Sequence, residues 1–182
     1  MTASRNVLRV TIAAVAVALV VAAAAFAAYS PNDGLATARS ANGKFASLAL
    51  AKQAGYGLLK DKNGIACIAM APMPGMSSGA MGVHYANPAL VGDGQLDVHT
   101  PEALVYQPVG KQLRLAALEY VVIKSAWDAK HNGAPVMFGR RFNTTPAGNR
   151  FGLPAFYSLH VWLFKHNPSG EFSMWNPEVS CK

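Results

Sequence analysis

The sequence predicts an α+β domain: one amphipathic helix packed on a mainly antiparallel sheet of roughly four to six strands, with long loops and one disulfide. Three observations carry that prediction. Residues 112–123 and 156–165 alternate their side chains with the two-residue period of a strand. Pro108-Val109-Gly110-Lys111 separates the first of these from another strand-like run, 102–107, as the turn of a β-hairpin does. Residues 44–54 instead follow a helical period, with Phe45, Leu48 and Ala49 on one face and Lys44, Ser47 and Lys52 elsewhere.

The chain opens with the pattern of an export signal. Arg5 and Arg9 precede an apolar run over residues 10–24, broken by Thr11 alone, and Ala25-Phe26-Ala27 places small residues at the −3 and −1 positions of a cleavage site. Residues 1–27 therefore read as a signal peptide cut after Ala27. The alternative is an uncleaved anchor over residues 10–28, since roughly 17–25 apolar residues span a bilayer. With no Arg-Arg pair in the leader, the general secretory route is expected, and the domain would be periplasmic or secreted. Membrane contact is expected only through this segment, if it is retained.

Residues 28–42 are polar and turn-rich and read as a flexible tether, so that residues 43–182 form a single domain. Asn42-Gly43 is a turn signal, and the helix over 44–54 ends at Gly55, a natural residue beyond a helix C-terminus, with Tyr56 tucked in behind it. Residues 65–76 are broken by Pro72, Pro74 and Gly75, which exclude a long helix or a central strand. A short strand follows over 81–86, with Met81, Val83 and Tyr85 on one face and Gly82, His84 and Ala86 on the other. Residues 89–99 read as a loop whose Asp93, Asp97 and His99 lack calcium-loop spacing.

In the hairpin's second strand, Leu113, Leu115, Ala117, Glu119 and Val121 share a face, so Glu119 sits among apolar neighbours and needs a partner. Ala116-Ala117 is a candidate bulge that would switch faces. Residues 124–152 form a connection long enough to act as a cover over a pocket, with Arg140 or Arg141 turned inward. In the closing strand Tyr157, Leu159, Val161 and Leu163 oppose Phe156, Ser158, His160, Trp162 and Phe164; both faces are largely apolar, as in a central strand.

Charge and cysteine content bound the function. The formal net charge of +7 loses two with Arg5 and Arg9, and the remaining basic residues are scattered, so a nucleic-acid footprint is excluded. Two cysteines in an exported chain predict one bridge, Cys67 to Cys181, over a pair of soft metal ligands or reactive thiols with no C-x-x-C spacing to support them.

Two constellations could carry chemistry. His84, Glu119 and His160 each lie on a strand in an apolar stretch. Two imidazoles and a carboxylate make a metal triad with open positions, an acid–base pair, or a buried polar network. As metal ligands, the ring nitrogens of His84 and His160 must lie within about 3–4.5 Å. Met70, Met73 and Met76 form a second, soft-metal candidate suited to copper, against a loop whose thioethers fill gaps in the core. No nucleophile elbow, phosphate loop or dinucleotide fingerprint is present.

Gly79-Ala80-Met81-Gly82-Val83-His84-Tyr85-Ala86-Asn87-Pro88, Pro101-Glu102-Ala103-Leu104-Val105-Tyr106 and Leu118-Glu119-Tyr120 occur in order with three later motifs. Those are Leu159-His160-Val161-Trp162, Asn167-Pro168-Ser169-Gly170 and Trp175-Asn176-Pro177, followed by Cys181. In this pattern the chain resembles a family of uncharacterised exported bacterial proteins. The resemblance brings in Cys67 and Cys181 together, leaves out Met70, Met73 and Met76, and implies no activity, ligand or catalytic residue. The expected function is an exported, disulfide-stapled domain that binds a small ligand or a protein partner. The alternative is a metal protein or metal-dependent enzyme using Cu, Fe or Zn.

Overall fold

The computed structural model describes residues 30–71 and 79–182. The leader, its cleavage position at Ala27, and Met73 and Met76 of the methionine series lie outside the described residues. The fold is built on the long hairpin that the turn at Gly110-Lys111 predicts: β4 (Ala103–Val109) and β5 (Gln112–Ile123) pair in register from Ala103↔Glu119 to Val109↔Gln112. β3 (Ala80–Ala86) adds to the free side of β4, and β9 (Phe156–Val161) to the free side of β5. The two-residue β1 (Gly57–Leu58) and three-residue β2 (Cys67–Ala69) share the outer edge of β3, and β8 (Asn143–Thr145) covers β9. Every pairing is antiparallel. The result is one seven-stranded sheet, larger than expected because its edges are closed by pieces too short to leave a period in the sequence. β9 is covered on both faces, as its apolar pattern requires, but lies one strand in from the edge; the hairpin holds the centre.

The bulge anticipated at Ala116-Ala117 is present. Val105 faces Ala117 while Tyr106 faces Leu115, so Ala116 is the extra residue, and its carbonyl accepts the amides of Phe164 and Lys165. The insertion resets which side chains face which way. Leu115, Leu118, Tyr120 and Val122 pack under the helices with Val83, Tyr85, Tyr106, Tyr157 and Leu159, whereas Ala116 and Ala117 join Ala80, Val105 and Trp162 on the opposite face. Glu119 is thereby committed to that second face.

The helical layer starts earlier than the sequence suggests. α1 (Pro31–Asn42) occupies the stretch expected as a tether: the Ser30 hydroxyl accepts the Asp33 amide, Pro31 sits in the first turn, and Ala38 and Asn42 are fully buried. Ser, Pro, Asn and Asp serve loops and helix starts alike, and here they start a helix. The chain then passes through a 3₁₀ turn (Gly43–Ala46) into α2 (Leu48–Gln53), and the change of pitch makes Phe45, Leu48 and Ala51 the inward set, leaving Ala49 exposed. Gly55 has φ +92°, as a residue just past a helix end should, and Tyr56 turns inward to donate to the Pro101 carbonyl at 2.7 Å. Tyr106 donates to the Phe45 carbonyl at 2.7 Å, tying the layer to the sheet. α3 (Pro88–Asp93), capped by Asn87, lies in the stretch expected as a loop, and α4 (Lys124–Asp128) follows β5. Beyond α4, β6 (Val136–Met137) and β7 (Arg140–Arg141) form a separate small ribbon.

The carboxy-terminal segment folds back along the second face. Asn176 exchanges two backbone hydrogen bonds with Ala80, a contact so close that a Cβ on Gly79 would sit 2.6 Å from the Asn176 carbonyl oxygen. Cys181 is bonded to Cys67 as predicted. The disulfide fits an oxidising compartment. Among the described residues, no helix is long and apolar enough to cross a membrane.

Candidate metal centre

Three strands deliver the three predicted side chains to one point on the second face. His160 on β9 stands directly opposite Glu119 on β5, and Glu119 stands opposite Ala103 on β4. His84 comes from β3, two strands and about 10 Å of sheet away from β5. Its register partner on β4 is Val105, and the small Ala103, which faces Glu119, leaves the span between the two side chains unobstructed. The backbone that aims His84 is unusual. Gly82 has φ +105°, and a Cβ there would lie 2.5 Å from the Tyr106 carbonyl oxygen, so only glycine fits. This kink breaks the alternation along β3 and turns Met81, expected beside Val83 and Tyr85, to the same cavity that His84 lines.

His84 Nε2 lies 3.3 Å from His160 Nε2 and 3.5 Å from Glu119 Oε2; His160 Nδ1 lies 3.6 Å from Glu119 Oε1. Each residue offers one ligand atom, and the three atoms fall within 4.8 Å of one another. The sequence-derived distance condition on the two imidazoles is met. Both rings are buried, at 2% and 1% exposure, and neither Nδ1 makes a hydrogen bond of good geometry. Trp162 stacks beside His160, with ring centroids 6.4 Å apart.

Burial sets the charge states. It pushes both imidazoles down to about 4; at His84 the Glu119 carboxylate opposes the shift and His160 adds to it. The rings are therefore neutral at physiological pH, as metal ligands must be. Burial raises Glu119, against the lowering effects of His84 and the Ser158 hydroxyl. A second buried acid, Glu102, was not singled out in the sequence. Its Oε2 accepts the Val121 amide at 2.8 Å, extending the ladder just before β4 begins, and burial lifts its carboxyl to about 8.

His84 and Glu119 form part of the wall of a cavity of about 300 Å³; His160 sits behind them, outside the lining. The remaining wall is mostly apolar, with Met81, Phe151, Leu153, Phe156, Met174 and Trp175 prominent. The long connection does cover the pocket, but the arginine it contributes is Arg150. Arg140 and Arg141 are exposed on β7 and lie away from this cavity, because the β6–β7 ribbon carries them outward. Arg150 binds Asp61 at 2.8 Å and holds that carboxyl below its ordinary range, locking the cover loop to the turn before β2. Met70, the described member of the methionine series, lies outside the cavity lining, and its amide pairs with the Gly79 carbonyl. Asp97 and His99 pair with each other on the surface, and His166 is 77% exposed.

Sequence could have flagged Ser158, which shares a face with His160; Arg150, Met174 and Trp175 carry no local signal. No protein-family model matches the chain, and neither a curated protein nor a solved structure matches it, so the site stands on its own geometry.

Proposed function

We propose that the protein is an exported metalloprotein in which His84, Glu119 and His160 hold one divalent first-row transition metal at the floor of a ligand cavity. The observation that supports this most strongly is the spacing of the imidazoles. Two nitrogens bound at about 2.1 Å with a tetrahedral angle between them stand about 3.4 Å apart, and the two Nε2 atoms are 3.3 Å apart. The same 3.3 Å also admits a hydrogen bond between the two rings, the buried-network alternative that metal analysis separates from the triad. Both rings also lie beside the Glu119 carboxylate, at 3.5 Å from His84 Nε2 and 3.6 Å from His160 Nδ1, which supplies the third, oxygen donor.

A nitrogen and oxygen donor set without thiolate suits Zn, Fe(II), Mn or Cu(II). Three protein ligands with open positions are the arrangement of non-haem iron and of reactive zinc sites, not of closed structural ones. The leader pattern and the Cys67–Cys181 bridge support export, which would place metal loading outside the cytoplasm. A metal-free pocket for a small ligand is the second reading, favoured by the apolar cavity walls.

Elemental analysis of protein stripped with chelator and refolded with Cu, Fe, Zn or Mn tests the proposal. The expected result is one metal per chain in wild type and in His166→Ala, and its loss in His84→Ala and His160→Ala. Metal retained by both of the latter variants, or bound by none of the four proteins, would refute the triad.

A further inference from the structure

We infer, resting on the metal reading above, that the cavity takes a small apolar monoanion, an aromatic or branched monocarboxylate. Its carboxylate would complete the metal, and its body would lie among Met81, Phe151, Leu153, Phe156 and Trp175. Three features of the site converge on that class.

The first is direction. His84 and Glu119 line the cavity, whereas His160 lies behind them against Trp162. Open coordination positions on a metal held by these three groups therefore point into the cavity.

The second is charge. A divalent ion with one carboxylate and two neutral imidazoles keeps a net charge of +1 in an apolar chamber, where an uncompensated charge is costly. The other cation on the wall, Arg150, is already matched by Asp61 at 2.8 Å. The site is short of one negative charge, which a carboxylate supplies and an alcohol or amide does not.

The third is size and surface. About 300 Å³ is the small end of the range for ligand pockets, roughly 300–1,000 Å³. Its walls reward an apolar body that leaves water. A one-ring acid meets both limits; acetate leaves the walls unfilled.

The test uses full-length protein stripped of metal and reloaded with Co(II), titrated with benzoate, acetate and benzyl alcohol. The visible Co(II) bands report events at the metal, and calorimetry reports binding to loaded and metal-free protein alike. Benzoate should shift the bands saturably and bind at least tenfold more tightly than acetate or benzyl alcohol, and at least tenfold more tightly than to metal-free protein. Leu153→Trp and Met174→Trp, which fill the cavity from half-buried positions, should abolish benzoate binding and keep Co(II). If Co(II) binds but benzoate leaves the bands unchanged, or binds no better than acetate, the ligand class is wrong and the metal site stands. Equal benzoate affinity for loaded and metal-free protein overturns anchoring at the metal. If Co(II) does not bind, the metal reading falls and this inference falls with it.

Discussion

Glu102→Gln should gain stability relative to wild type as pH rises from 6 to 8. The Glu102 side chain is 2% exposed, and its carboxyl is raised from an ordinary 4.5 to about 8, chiefly by burial, with the nearby Asp93 and Glu119 charges adding to the shift. A raised acid binds its proton more tightly in the folded state than in the unfolded one. The stability it contributes is complete below about 4.5 and is lost as pH rises through 8. With about 1.4 kcal/mol per pKa unit, the part lost between pH 6 and pH 8 is about 2 kcal/mol. His84 and His160 titrate near 6.5 in the unfolded chain and about 4 in the folded one, so they raise stability across the same window in both proteins and cancel in the difference between wild type and variant. Glutamine keeps the carbonyl that accepts the Val121 amide at 2.8 Å and removes the titrating proton. Urea unfolding of chelator-treated protein, at several pH values with the slope m held constant, measures the difference directly. Wild type should lose about 2 kcal/mol more than the variant across the window. Parallel curves would show that Glu102 is ionised in its site and that the reasoning from burial is wrong.

Other expectations follow from the same geometry. Replacing both Cys67 and Cys181 by serine opens a loop with a sequence separation of 114 and should destabilise the domain by up to 4–5 kcal/mol on the loop-entropy model, read as a lower urea midpoint. Unchanged stability would mean that the bridge constrains nothing. Gly82→Ala forces its Cβ against the Tyr106 carbonyl and should cost on the order of 1–3 kcal/mol while displacing His84, so metal affinity should fall together with thermal stability. Loss of stability with unaltered metal affinity would sever Gly82 from the site. Because the imidazoles are already neutral and Glu119 is the group raised by burial, metal binding near neutrality should release at most about one proton per ion. Calorimetry in buffers of different ionisation enthalpy reads that number, and two or more protons would contradict neutral histidines.

Glu119 was legible because an acid in an apolar alternation has to be explained, and the two adjacent alanines beside it marked the bulge that settles its face. The β4–β5 hairpin was legible for a related reason: turn chemistry and period lie within a few residues of each other. The meeting of His84 with His160 was not legible, since it depends on β3 joining β4 rather than another edge, and on strand order that leaves no local trace. The kink at Gly82 is equally silent, because a glycine in a strand pattern does not announce its φ. Helix α1 was hidden by ambiguity: Ser30-Pro31-Asn32-Asp33 suits a loop until the buried Ala38 and Asn42 reveal the packed face. Arg150 was overlooked in favour of the adjacent pair Arg140 and Arg141, yet it is the one whose partner, Asp61, comes from a distant turn.

The most direct test of the central claim is a crystal structure of metal-soaked protein with anomalous data collected at the absorption edge of the metal. The account predicts a single peak at full occupancy about 2.0–2.2 Å from the Nε2 atoms of His84 and His160 and from a Glu119 carboxylate oxygen. The absence of any peak among the two imidazoles and Glu119, with the rings hydrogen-bonded to each other, would contradict it.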